Sequence, residues 1–301
     1  MSKKKQIEIG EHSYIPDSKN IRYLCLKAGN YVQISDDVEI LCPNLSLGNN
    51  VFIGKGTQIK CRSLEIGSDT FIQGDVLIEG ALNNLETRVK IGREGLICTG
   101  TRINCNYPVN IGNHVGIGQN VRIWTHGYFL HRLKGGPYNV GSVKIGDDVW
   151  LIEGSVVMPG IEIGNHAIIG TNSIVNKNVP PGSFAAGQPI KIIKENVYPI
   201  KLPKEKQERI VEGVVREYFP IMESKRFHKD IHVDGLKIYF DYDGENPIVF
   251  DCETKEMRGA LDKFGEDFRD HLRRNSIKFF NGTPFKSIML PEFKKLIEEK
   301  Y

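Results

Sequence analysis

Two histidines stand in the stretch Ile123-Trp-Thr-His126-Gly-Tyr-Phe-Leu-His131, and a Gly135-Gly136 pair follows them. An imidazole with a pKa near ~6.5 is well suited to take a proton from a hydroxyl as that hydroxyl attacks a carbonyl carbon. Two histidines could otherwise serve as metal ligands that activate water, which needs a third ligand. No third histidine is placed upstream to complete such a set, so no metal is expected. His126 is the candidate base. His131 is a candidate acceptor contact, set against the plainer reading of a surface-loop histidine.

The elements that must position His126 follow from a six-residue beat. Ile-Gly or Leu-Gly steps begin at residues 47, 66, 91, 111, 145 and 163. Counting on by six and twelve from each start reaches only Ile, Leu or Val, for example Ile66, Ile72 and Ile78, or Ile111, Ile117 and Ile123. A helix repeats near 3.6 and a half-buried strand near 2, so neither explains a beat of six. Three short strands joined by turns do, each sending one branched aliphatic inward. Such triangular coils stack and bury a continuous aliphatic ladder. The glycine after each inward residue is expected to allow a backbone conformation that a Cβ would oppose. His114 and His166 each lie three residues after a coil-opening Ile, and both are expected to be exposed turn residues.

Two stretches interrupt the beat, about 79–88 and 124–142. Coil stacks accept insertions at corners, where they project as loops that commonly carry function. His126 opens the larger one.

The pattern resembles the hexapeptide-repeat acyltransferases. The residues that carry the resemblance are Thr125-His126, Val143-Lys-Ile-Gly-Asp-Asp-Val-Trp150, Val157-Met-Pro-Gly-Ile-Glu-Ile-Gly164, Ile169-Gly-Thr-Asn-Ser-Ile-Val-Asn-Lys177 and Ala185-Ala-Gly-Gln-Pro-Ile-Lys-Ile-Ile-Lys194. Within that superfamily the likeness is to the galactoside, maltose and polysaccharide O-acetyltransferase branch. It implies a mainly β fold, a left-handed parallel β-helix, assembled as a homotrimer with sites between subunits. It also implies transfer of acetyl from acetyl-CoA to a hydroxyl of a sugar or glycan intermediate, with His126 as catalytic base. Amino-sugar N-acylation is the close alternative, and a carbonic anhydrase-like or non-catalytic scaffold the remoter ones. By the same resemblance Trp150, Glu153, Thr171, Asn176 and Lys177 meet the acetyl-CoA cosubstrate, and Lys191 and Lys194 meet its phosphates. Each of these lysines also reads as an ordinary surface charge. Glu153 stands where relatives carry a small or polar residue, and Asn106 where they carry an acceptor-binding aspartate.

Composition bounds the rest. The 301 residues carry a formal net charge of +3, which gives no reason to expect a nucleic-acid partner. Six cysteines lie in neither zinc nor disulfide spacing, as expected of free thiols in a reducing compartment. No apolar run follows Met1-Ser-Lys-Lys-Lys, and no stretch is long enough to span a membrane, so the cytoplasm is the expected location.

Residues 1–33 are expected to form an N-terminal cap or a first irregular coil, 34–195 the regular coil, and 196–301 a small α+β domain. In that last part Lys204–Tyr218 reads as a helix with Ile210, Val211, Val214, Val215 and Tyr218 on one face. Leu236–Phe240 and Ile248–Phe250 read as strands around an Asp243-Gly244 turn, Leu261–Leu272 as a helix, Ile277–Phe280 as a strand and Pro291–Lys300 as a helix. Asp241, Asp243 and Glu245 could be read as metal ligands, but a solvated acidic turn is the expected reading. This domain is expected to recognise the acceptor or a carrier, or to extend the oligomer.

Overall fold

The computed structural model describes residues 6–241 and 247–291. They form two compact units, 1–200 and 201–301. The Asp243-Gly244 turn, Glu245 and nearly all of the expected 291–300 helix lie outside the described residues.

The first unit is a parallel β-helix with three faces, sheets of eight, nine and eight strands among the described residues. Strands one coil apart pair in parallel and in register, as Ile66 with Ile91 and Ile91 with Ile111 on the first face. The second face pairs Ile72 with Ile97 and Ile97 with Ile117, and the third pairs Ile78 with Ile103 and Ile103 with Ile123. All eighteen aliphatics of the six-residue beat are buried, none more than 3% exposed. Fully burying one such side chain contributes about 1.5–3 kcal/mol, so this ladder is the main source of stability.

The turns correct one expectation. None of the glycines that follow the coil-opening aliphatics has positive φ. They are needed because the coils approach closely at this corner. A Cβ on Gly67 would sit 2.6 Å from the Arg93 backbone nitrogen. The left-handed residue is instead the third after each coil-opening aliphatic: Asn50, Asp69, Glu94, His114, Asp148 and His166, with φ between 52° and 63°. His114 and His166 are therefore not freely exposed. They are half-buried, and His114 lies between Glu94 and Asp148, whose other carboxylate oxygen is 3.4 Å from His166 Nδ1.

The ladders start earlier than residue 34. Gln6–Ile9 pairs with Cys25–Ala28, and Ile21–Arg22 with Glu39–Leu41, so the chain already runs in coils from Gln6 onward.

In the second unit, helix α1 (Lys204–Ser224) and helix α2 (Lys263–Arg274) accompany a four-stranded antiparallel sheet. Val211, Val214, Val215, Tyr218 and Met222 of α1 are buried with Phe240, Phe250, Phe268 and Leu272, whereas Ile210 is 44% exposed. Strands Ile231–Asp234 and Glu256–Arg258 flank the two expected ones. Ile277–Phe280 is not a strand. The buried Arg269 guanidinium donates to the Phe279 and Pro284 carbonyls, which draws this segment onto α2 instead of into a ladder. Asp241 accepts from Lys229 Nζ at 2.6 Å. No helix of the described residues is long and apolar enough to cross a membrane.

Candidate active site

Both insertions leave the coil at the same corner, between the third sheet and the first. The larger is a hairpin in which His126–Gly127 pairs antiparallel with Asn139–Val140, and its tip holds a single 3-10 turn, Arg132–Lys134. Between the two insertions, one coil above His126, runs Asn104-Cys-Asn-Tyr-Pro108.

This corner fixes the imidazole. Tyr107 N–H donates to the buried Thr125 hydroxyl at 3.2 Å, and that hydroxyl donates to Asn104 Oδ1 at 2.7 Å. Asn104 Oδ1 is thereby established as an acceptor, and His126 Nδ1 lies 2.9 Å from it. This contact, shorter than the one to Asn106, favours the neutral tautomer with the proton on Nδ1 and the lone pair on Nε2. Asn106 Nδ2 lies 3.2 Å from the same Nδ1, while Asn106 Oδ1 accepts from Ala81 N–H at 2.7 Å. Asn84 Nδ2 donates to the Asn106 carbonyl at 2.6 Å, so the smaller insertion braces the residue beside the histidine.

Aromatic rings lie beside the imidazole. Tyr128 lies 5.3 Å and Trp124 6.5 Å from it between ring centroids. Tyr128 stacks on Tyr138 at 4.9 Å, and the Arg132 guanidinium lies over Tyr138 at 4.2 Å. A hydrogen bond with Tyr138 raises the Tyr107 phenol above its ordinary value, with Arg132 acting against the shift. Phe129 and Leu133, at the hairpin tip, are almost wholly exposed.

Of the residues singled out in the sequence, His126 and Asn106 come together here. His131 does not join them; it is exposed and its carbonyl accepts from Lys134 and Gly136. Trp150 lies on the second sheet, half exposed, in register with Gly116. A Cβ on Gly116 would stand 3.4 Å from Trp150 Cδ1, so the missing side chain leaves room for the indole. Glu153 and Thr171 occupy the corner between the second and third sheets, whereas Asn176 and Lys177 follow the third sheet. Lys191 and Lys194 lie exposed on the strand Lys191–Lys194, which closes the coil antiparallel to Phe184–Ala186. Asn104, Tyr128 and Tyr138 are additions to the site. Asn104 was traceable from the coil step, because the pairing of Ile103 with Ile123 places Cys105 over Thr125. Among the described residues no three His, Cys, Asp or Glu side chains converge to hold a metal.

Residues 142–177 match the profile of the family described as bacterial transferase hexapeptide (six repeats). That stretch lies within the first unit. The unit is the left-handed parallel β-helix of that repeat. The chain is 35% identical over 111 residues to galactoside O-acetyltransferase of Escherichia coli, a match covering 36% of this chain and 55% of the relative. It is 32% identical over 108 residues to YvoF of Bacillus subtilis, covering 35% and 60% respectively. It therefore spans between half and two thirds of the length of these curated relatives. A solved hexapeptide-repeat acetyltransferase of Vibrio cholerae, complexed with acetyl coenzyme A, superimposes with a TM-score of 0.36 at 24% identity. That match covers 50% of this chain and 70% of the other.

Proposed function

We propose that this protein transfers acetyl from acetyl-CoA to a hydroxyl of a sugar or sugar-containing acceptor, with His126 as general base. The observation that carries the reading is the His126 ring, held by Asn104 through Nδ1 with Nε2 free, at the break of a hexapeptide coil. The similarity to galactoside O-acetyltransferase supports a sugar hydroxyl as the acceptor.

Nε2 takes the hydroxyl proton as the oxygen attacks the thioester carbon. The tetrahedral intermediate then collapses with rupture of the C–S bond, and the imidazolium returns its proton to the departing sulfur. A positioned base of this kind contributes roughly 10²–10⁴-fold. The Tyr128 and Trp124 rings suit the apolar face of a sugar, as amphipathic aromatic rings do. Trp150, Glu153, Thr171, Asn176 and Lys177 would line the path of the donor, with Lys191 and Lys194 toward its phosphates.

Glu153 and Thr171 turn one corner of the triangular coil and His126 another, so a single chain does not present them to one reactant. A neighbour that sets its donor corner against the His126 corner would complete the site. This supports a homotrimer with its sites between subunits.

Free-thiol release from acetyl-CoA by the purified protein, over a panel of sugars, nucleotide sugars and amino sugars, tests the reading. Acceptor-dependent turnover that collapses in His126→Ala is expected. Undiminished turnover in that variant would overturn the role of His126. Failure to bind acetyl-CoA would overturn the activity itself.

A further inference from the structure

The outward rows of the three sheets carry charge differently. On the first sheet cations meet anions: Lys90 pairs with Glu65 at 2.9 Å and Lys144 with Glu162 at 2.8 Å. On the third sheet the row reads Glu39, Gln58, Leu77, Arg102, Arg122, Val156, Ile174, each directly opposite the next. Arg102 and Arg122 are thus side by side on neighbouring strands, about 4.8 Å apart in backbone spacing, and both are exposed. Among the described residues no carboxylate forms an ion pair with either. Their neighbours in the row are apolar. The nearest acid by register is Glu79, which lies diagonal to Arg102 and directly opposite Lys60 and Asn104.

Like charges directly opposite each other in a sheet repel and weaken the pairing. A pair of this kind, flanked by Leu77 and Val156, is unfavourable unless an anion relieves it. Two guanidiniums on adjacent strands offer bidentate donors matched to phosphoryl oxygens. The pair lies close to the proposed chemistry. Arg102 precedes Asn104, the residue that holds His126, by two positions, and Arg122 precedes His126 by four, at most roughly 13 Å along a backbone that bends at Thr125.

We propose that Arg102 and Arg122 form a subsite for a phosphoryl group of the acceptor, which makes the acceptor a phosphorylated or diphosphate-linked sugar. The proposal deepens the acetyltransferase reading and rests on it for the word acceptor. The row from Arg122 to Trp124 and His126 leaves room for the sugar between the bound phosphoryl group and the base.

The test measures binding of inorganic pyrophosphate to the full chain by titration calorimetry, alongside coenzyme A binding and the oligomeric state. Saturable binding is expected, weakened at least ~10-fold in Arg102→Gln/Arg122→Gln, since charge-assisted bidentate bonds are the strong ones. Coenzyme A affinity and oligomeric state should be unchanged. Lys90→Gln/Lys144→Gln removes the same charge from paired positions and should bind pyrophosphate as the parent does. UDP-glucose and glucose 1-phosphate separate a diphosphate linkage from a single phosphate, and displacement of pyrophosphate by either supports the subsite. Displacement by neither overturns it, as does an equal loss in the lysine variant. A parallel loss of coenzyme A affinity would give the pair to the donor, and a change of oligomeric state would give it to a subunit contact; both overturn the proposal. Because the readout is binding, Arg-dependent pyrophosphate affinity in a protein with no acetyl transfer would sink the enzyme reading and leave the anion site standing.

Discussion

His126 Nδ1 lies 2.9 Å from Asn104 Oδ1, and the acceptor character of that oxygen is set by the Thr125 hydroxyl it already takes at 2.7 Å. The partner of the candidate base is thus a neutral amide. It favours the Nδ1–H tautomer without adding a negative charge. Asn104→Asp keeps an acceptor at Nδ1 and introduces a carboxylate, which favours the imidazolium and raises the histidine pKa. Nε2 then becomes free only at higher pH, so the acid limb of the kcat/KM profile should move upward. Asn104→Ala should lower kcat by up to roughly 10²-fold, within the range of losing the base itself, with no such upward displacement. A pH–rate series on the three proteins decides it, and an unmoved acid limb in Asn104→Asp would refute the positioning role.

The thiols of Cys42, Cys61 and Cys105 are buried in one column of the coil, with Cys61 Sγ 3.9 Å from Cys42 Sγ. Hydrogen bonding to Cys105, with burial, pushes the Cys61 thiol up to about 12. Hydrogen bonding to Cys61 and burial raise Cys42 as well. Alkylation requires the thiolate, so raising the pKa removes the reactive form at neutral pH. Mass spectrometry after iodoacetamide treatment at pH 8 should find the exposed Cys25 modified and these three intact until the protein is unfolded. Rapid labelling of Cys61 in the folded chain would contradict the packing.

Glycine substitutions should separate close approach from conformational freedom. In Gly67→Ala the new Cβ meets backbone atoms of Arg93 and Gly92 at 2.6 and 2.7 Å, and a coil would have to shift. A loss of about 1–3 kcal/mol is expected, the usual range for overpacking. Gly213, inside α1, has nothing within 4 Å of a built Cβ, so Gly213→Ala should stabilise the helix by about 0.5–1 kcal/mol. Denaturant unfolding of both variants checks the opposite signs.

The inward ladder was legible because burial leaves only one kind of residue at each sixth position. Ile66, Ile72 and Ile78 could be placed from the sequence alone, and they are buried as placed. The earlier coils were hidden because Ala28 stands where later coils have Ile or Leu. The glycine role was misassigned because a Cβ can be excluded by φ or by a neighbouring backbone, and periodicity does not distinguish the two. His126 could be named from its step and its insertion. Asn104 could not be reached without carrying the coil offset across residues 103 and 123. Nothing in the run Ile277–Phe280 announces that a guanidinium ten residues upstream engages its backbone.

The second unit offers a sharper electrostatic test. Asp267 is 1% exposed and accepts from Tyr218 Oη, Lys225 Nζ and Ile288 N–H, each at 2.6 Å. Asp267→Asn removes the charge and leaves the nearly buried Lys225 ammonium without its counter-ion, which should destabilise this unit by about 3–5 kcal/mol. The double variant Asp267→Asn/Lys225→Met should recover part of that loss, because no uncompensated charge then remains. The same cluster sets a limit at high pH. Burial, with the hydrogen bond to Asp267, raises the Tyr218 phenol well above its ordinary value near 10. The unfolded chain therefore releases this proton first, so the folded state binds more protons above about pH 10 and its stability falls as pH rises from there. Below that pH the contribution is fully present. Helix-monitored unfolding of the full chain between pH 8 and 11 measures both effects. Equal stability of Asp267→Asn and the parent at pH 8 would show that the cluster does not hold α1 and α2 together.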